Sequence, residues 1–187
     1  MNVDLDRYDD PPSDPATQAA RREALLDQLG WLADEAAALR PALATLPTWA
    51  VEEAPLQGQL TAKETLAALA RRDREVYPRR IARLVAEDVP ALDPAEDVAD
   101  ASANDRSLDD LLAEVGEARA AFIEAVGSVP ADDWARTATL DAGEGAETIT
   151  LYELVLRIVR HDADRLRDLA YRLHEADLSE RPPSSAH

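Results

Sequence analysis

The stretch Thr150 to Leu173, TLYELVLRIVRHDADRLRDLAYRL, constrains the fold more than any other part of the sequence. Leu151, Leu154, Val155, Ile158, Leu166, Leu169 and Leu173 recur at helical spacing, and Thr150-x-x-Glu153 supplies a capping box at the start. The pattern predicts one long helix with a face turned to a core. Continuing its period from Ile158 puts Asp162 and Arg165 among the apolar positions and His161 at their edge. Charge there is costly to bury unless partners are supplied, so these three residues mark the first place to look for a site.

Three further segments follow the same pattern. Asp14-Pro15 offers a cap and a first-turn proline for helix one, from about Ala16 to Arg40, with Leu25, Leu26, Leu29, Leu32, Ala33, Ala36 and Leu39 as its stripe. Helix two opens with a second capping box, Thr61-x-x-Glu64. It continues through Leu66, Leu69, Ala70, Val76, Tyr77, Ile81 and Leu84, and Pro78 is expected to bend it. Asp73 sits on this stripe and Arg80 returns to it, unless the proline kink shifts the phase. Helix three runs from the Ser107-x-x-Asp110 cap to about Val126, with Leu108, Leu111, Leu112, Val115, Phe122 and Ile123 inward and Arg119 in their midst.

The connections are less regular. Pro41 and Pro47 admit at most a short turn, and TWAVEEAPLQGQ reads as a link to helix two. The acidic, aperiodic EDVPALDPAEDVADASAND predicts a long surface connection between helices two and three. Trp134 is expected to plug the bundle end, and DAGEGAET to form an irregular loop or small hairpin. With no strand-like alternation of any length, the expected fold is an all-α four-helix bundle over residues 15–175. Residues 1–14 form a loose arm and residues 176–187 a polar tail. Trp31 falls opposite Leu29 and Ala33, so it needs cover from the arm, through Leu5 and Tyr8, or from a dimer contact.

Composition narrows the function. The chain has 187 residues and 46% hydrophobic content, enough for one core, and its 38 acidic against 20 basic residues leave a net charge of −18. Such a surface repels phosphate backbones and anionic membranes, which excludes nucleic-acid binding. Lys63 is the single lysine, a bias that a GC-rich genome and adaptation to salt would each produce. Without cysteine there is no disulfide, thiolate ligand or thiol nucleophile. The N-terminus lacks the basic start and apolar run of a signal peptide, and no segment approaches the roughly 20 apolar residues of a membrane span. A soluble cytoplasmic protein is expected. Gly143-Glu144-Gly145 is too poor in glycine and basic residues for a phosphate loop, and no nucleophile elbow supports Ser/His/Asp catalysis.

Asp73, Arg119, Asp162 and Arg165 thus occupy inward positions on three helices. As a structural network they would fix helix register. As a site, Asp73, Arg119 and Arg165 would hold a small anionic ligand while His161 or Asp162 moves protons.

With these residues in view, the chain from about Arg21 to Leu173 resembles the DinB-like superfamily of four-helix bundles. The resemblance rests on TAKETLAALARRD in helix two, RSLDDLLAEVGEARAAF in helix three and RHDADRL in helix four, the last similar to a closing His-x-x-x-His motif. It implies a divalent metal, usually zinc or nickel, on three histidines. By the family pattern these fall at Ala68, His161 and Arg165, so one ligand of three is present, and a tight metal needs about three. The expectation is therefore a degenerate metal site with no tightly bound metal, a weak zinc or nickel site being the alternative, and a guanidinium where the cation would stand. The resemblance further implies a homodimer. For function it points to a low-molecular-weight-thiol-dependent transferase, isomerase or hydrolase, or to a stress-induced protein without an established reaction.

Overall fold

Asp14 opens the first helix as the sequence predicts: its carboxylate accepts a 2.9 Å hydrogen bond from the Thr17 amide, and Pro15 occupies the first turn. The computed structural model describes residues 8, 14–54, 56, 58–93, 97–141 and 145–180. Helix α1 spans Pro15–Ala38 and buries Leu25, Leu29, Leu32 and Ala36. Two short helices follow, α2 (Arg40–Thr45) and α3 (Thr48–Glu52), burying Leu43 and Val51. The connection expected over 48–59 holds a helical turn at α3, too short to show a period in sequence.

The second long segment breaks in two at the predicted place. Helix α4 (Ala62–Arg71) starts on the Thr61/Glu64 capping box and gives way to a π-helical turn at Arg72–Val76, then to α5 (Tyr77–Ala86). Pro78 has no amide proton to offer the preceding turn, and Tyr77 N bonds Arg72 O in place of the residue a full α-turn back. The extra residue in that turn rotates the downstream face. Asp73, Tyr77 and Arg80 are all buried.

Helix α6 (Leu108–Gly127), capped by Ser107, and helix α7 (Leu151–Glu180), capped by reciprocal Thr150 and Glu153 bonds, complete the bundle. Helix α6 packs on both α1 and α4, and α7 packs on the same two, so the four long segments close a ring around Phe122, Leu25, Leu66, Leu111 and Val155. Trp134 is buried as expected, in a 3-10 turn at Ala131–Ala135, with the Arg22 guanidinium 5.8 Å above its ring.

The helices also carry a small sheet that goes beyond the expected hairpin. The chain contains a three-stranded sheet: β1 (Ala91–Leu92) pairs parallel with β2 (Thr137–Asp141), which pairs antiparallel with β3 (Ala146–Thr150). The β2–β3 pairing is the small hairpin allowed for by DAGEGAET, and Gly145 takes φ +133° at its turn. These strands are too short and too exposed to show a period of two; among the described residues of the hairpin only Ala138 and Ile149 are buried. Most of the predicted arm and residues 181–187 of the predicted tail lie outside the described residues. Tyr8 is described; it is buried, and its carbonyl accepts from Tyr152 Oη at 3.1 Å. Trp31 is half-buried, and Leu5 falls outside the described residues.

Candidate functional site

Arg119 projects from the middle of α6 into the bundle centre and is 3% exposed. Its Nε donates to Asp73 Oδ2 at 2.6 Å, and its Nη2 donates to Asp162 Oδ2. Asp73 reaches this point from the π turn and Asp162 from α7; each is 1% exposed. Three of the four predicted inward charges therefore meet, while Arg165 pairs outside them with Asp97. They meet where solvent does not reach, so this inner group is shaped to hold helices together rather than to receive a ligand.

His161 stands between the inner group and the surface. Its Nδ1 lies 2.9 Å from Asp162 Oδ1, which orients the ring, while Nε2 is 3.4 Å from Arg165 Nε and 3.7 Å from Asp97 Oδ2. Arg165, one turn further along α7, places Nη2 2.5 Å from Asp97 Oδ2. Arg72 places Nη2 2.6 Å from Asp97 Oδ1 and its Nη1 donates to Tyr77 Oη at 3.3 Å. The outer group is thus a carboxylate held between two guanidiniums and an imidazole. Arg72 and Asp97 escape sequence reasoning. Asp97 lies in the acidic stretch that reads as a plain surface connection, and Arg72, at the start of the π turn, is not among the apolar positions that mark the stripe.

Across both groups three guanidiniums (Arg72, Arg119, Arg165) meet three carboxylates (Asp73, Asp97, Asp162). Among the described residues the inner group holds two of the carboxylates and one guanidinium, and the outer group one carboxylate and two guanidiniums. His161 bridges the two. Burial, with the neighbouring Asp162 charge, pushes the Asp73 carboxyl up to about 7 despite Arg119. Burial also opposes the Asp97 carboxylate, but His161, Arg72 and Arg165 outweigh it and hold the group well below the usual carboxylate range. Burial of His161 disfavours the imidazolium, yet bonds to Asp162 and Asp97 prevail and raise its pKa.

A cleft of about 430 Å³ opens on the outer group, with Asp97 and Arg165 at one end and Leu56, Thr65, Tyr171 and Arg172 among its walls. Arg172 is tied down by a 2.8 Å bond to the Leu60 carbonyl. The N-terminus of α4 forms the base of this region. Thr61 Oγ1 donates to Asn104 Oδ1 at 2.8 Å, and Lys63 Nζ, nearly buried, reaches Glu52 Oε1 at 2.6 Å and the Asn104 carbonyl at 2.9 Å. These bonds fasten the 3-10 turn Ala101–Asp105, and with it the segment carrying Asp97, to the helix.

A family model of the DinB superfamily matches residues 32–169, most of the chain. The chain belongs to the DinB superfamily. YfiT from Bacillus subtilis, a probable metal-dependent hydrolase with an unusual four-helix bundle topology, has a solved structure similar to it. The TM-score is 0.62 at 15% identity, over 82% of this chain and 86% of that one. At that identity the likeness carries the fold alone. No curated protein matches the chain.

Tested against a three-histidine divalent metal, the side chains present do not fit. Ala68 offers no donor atom and the Arg165 guanidinium has no lone pair to give and is paired with Asp97, so His161 is the one imidazole at the three positions. Among the described residues, no group of three or more histidine, aspartate or glutamate side chains is placed to hold a metal ion. None of the described helices is long and apolar enough to cross a membrane.

Proposed function

We propose that this DinB superfamily member binds a small anionic ligand at the outer group, without the superfamily's divalent metal, while the inner Arg119 group frames the bundle. The observation that carries the reading is the Asp97 carboxylate: an anion already seated between Arg72, Arg165 and His161 at the mouth of an open cleft. Arg165 and His161 are the ligand-facing residues, being partly exposed, and Asp162 positions the imidazole for proton transfer. Asp73 and Arg119 act behind them.

Two measurements test this. Protein purified without a histidine tag should bind neither zinc nor nickel stoichiometrically; micromolar binding lost in His161→Ala would overturn the metal-free reading. Thermal stabilisation by small carboxylates and phosphate should fall in Arg165→Ala by more than the unliganded melting point does. If only the unliganded melting point falls, the outer group is architecture.

A second reading, a hydrolase or a thiol-dependent transferase in which substrate completes a weak metal site, is favoured by the retention of His161 with Asp162 orienting its ring. A homodimer through α1 is part of the proposal; a monomer at high micromolar concentration in sedimentation would remove it.

A further inference from the structure

A cleft of about 360 Å³ lies beside the π turn, with Asp73, Arg74 and Pro78 on one side and residues of α6 on the other. None of the residues that line it lines the cleft at the outer group. Helix α6 contributes Ala118, Ala121 and Ala125, whose small side chains leave the space and offer no polar group, together with the buried Phe122. Hydrogen bonding in this cleft therefore falls to the turn and to the charged side chains around it.

The turn is short of a donor. Tyr77 gives its N–H to the Arg72 carbonyl and Pro78 has none to give, so neither of the residues that could close a helical bond on the Asp73 carbonyl does so. Asp73 Oδ1 is likewise without a hydrogen-bond partner. An acceptor left unpaired in a buried setting is costly, and a donor brought to it recovers part of that cost. Of the charged side chains lining the cleft, Asp73 pairs with Arg119, and Arg74 shares Glu114 with Arg106. Glu117, on the exposed face of α6, makes no ion pair among the described residues.

We propose that this cleft binds a small primary ammonium with an apolar body, its N–H groups directed at the Asp73 carbonyl, its charge toward Glu117 and its hydrocarbon part against the three alanines. A carbonyl oxygen accepts and cannot donate, so a carboxylate or phosphate gains nothing in that place. The chain's net charge of −18 also brings cations to the surface in preference to anions. The site is separate from the outer group and goes beyond the reading above.

Calorimetric titration of the full chain at pH 7.5 and about 0.15 M sodium chloride, where distant surface charges are screened, tests the assignment with benzylamine, ethylamine, benzyl alcohol and benzoate. Benzylamine should bind at least about tenfold more tightly than ethylamine, through its larger apolar part, and than benzyl alcohol, which has a donor but no charge. Benzoate should not bind. Pro78→Ala returns an N–H to the turn and should weaken benzylamine about tenfold. Ala121→Leu, on the exposed face of α6, should fill the cleft and abolish binding. Glu117→Gln should bring benzylamine down toward benzyl alcohol.

A wild type that does not take up benzylamine would overturn the inference. So would binding unchanged in Ala121→Leu, which would mean ammonium spread over the acidic surface, or benzyl alcohol matching benzylamine. Unchanged affinity in a folded Pro78→Ala would equally end it, since the carbonyl would then play no part. If Pro78→Ala does not fold, Ala121→Leu and Glu117→Gln, both at exposed positions, still decide the matter against the wild type.

Discussion

Arg119 is the residue on which the interior depends, because it is the guanidinium that both Asp73 and Asp162 contact. Arg119→Ala would leave two buried carboxylates without a cation, and unfolding in urea should show a loss of about 3–5 kcal/mol. Replacing the trio together with apolar side chains of similar volume should restore most of that loss, since a buried ion network contributes little beyond its own desolvation. The titration of the same residues sets the pH dependence. Asp73, with its carboxyl raised to about 7, binds its proton more tightly folded than unfolded, so stability falls as pH climbs from the ordinary carboxylate value toward 7. His161, also raised, contributes fully below 6.5 and loses that contribution as pH rises through its folded value. Asp97, depressed, contributes above 3.8 and loses it only as pH falls further. The denaturation midpoint should therefore be higher near pH 5 than near pH 8, and Asp73→Asn should flatten that slope; an unchanged slope in the variant would show that Asp73 does not titrate there.

At the scale of elements, the N-terminus of α4 joins the capping box to the turn that carries the long connection. Thr61→Ala removes the cap on Glu64 N and the bond to Asn104 together, and the cost should reach the upper part of the capping range, about 2 kcal/mol, by thermal or chemical denaturation. A loss near zero would mean that the 3-10 turn is not fastened there. The long helices were legible in the sequence because each announces itself by a cap and a sustained 3.6-residue period: Asp14, Thr61, Ser107 and Thr150 all sit where the structure places the caps. The inward positions of Asp73, Arg119 and Asp162 followed from the same period. Four features did not follow. The π turn inserts a residue that no fixed period anticipates. Helix α3 and strand β1 are too short to repeat the pattern that would reveal them. Asp97 belongs to no element, and its placement depends on β1 before it and the 3-10 turn after it.

For the whole molecule, a net charge of −18 on 187 residues means that folding gathers like charges. The ion pairs on the surface, such as Arg40 with Asp109 and Arg157 with Glu147, offset part of this and are screened by the same salt. Because the surplus repulsion exceeds these few attractions, raising sodium chloride from about 20 mM to 0.5 M at pH 7.5 should raise the melting temperature, the Debye length shrinking from roughly 20 Å toward 4 Å. A fall would mean that surface pairs dominate.

The parallel pairing of β1 with β2 has a kinetic consequence. Ala91 finds Thr139 only after the whole of α6 has intervened, so this contact closes late compared with the helical turns on either side. Asp97, lying just beyond β1, inherits that timing. Native-state hydrogen exchange should accordingly find the amides of β1 opening before those in the middle of α6 and α7, with the acid and its two guanidinium partners separating while the rest of the protein stays folded.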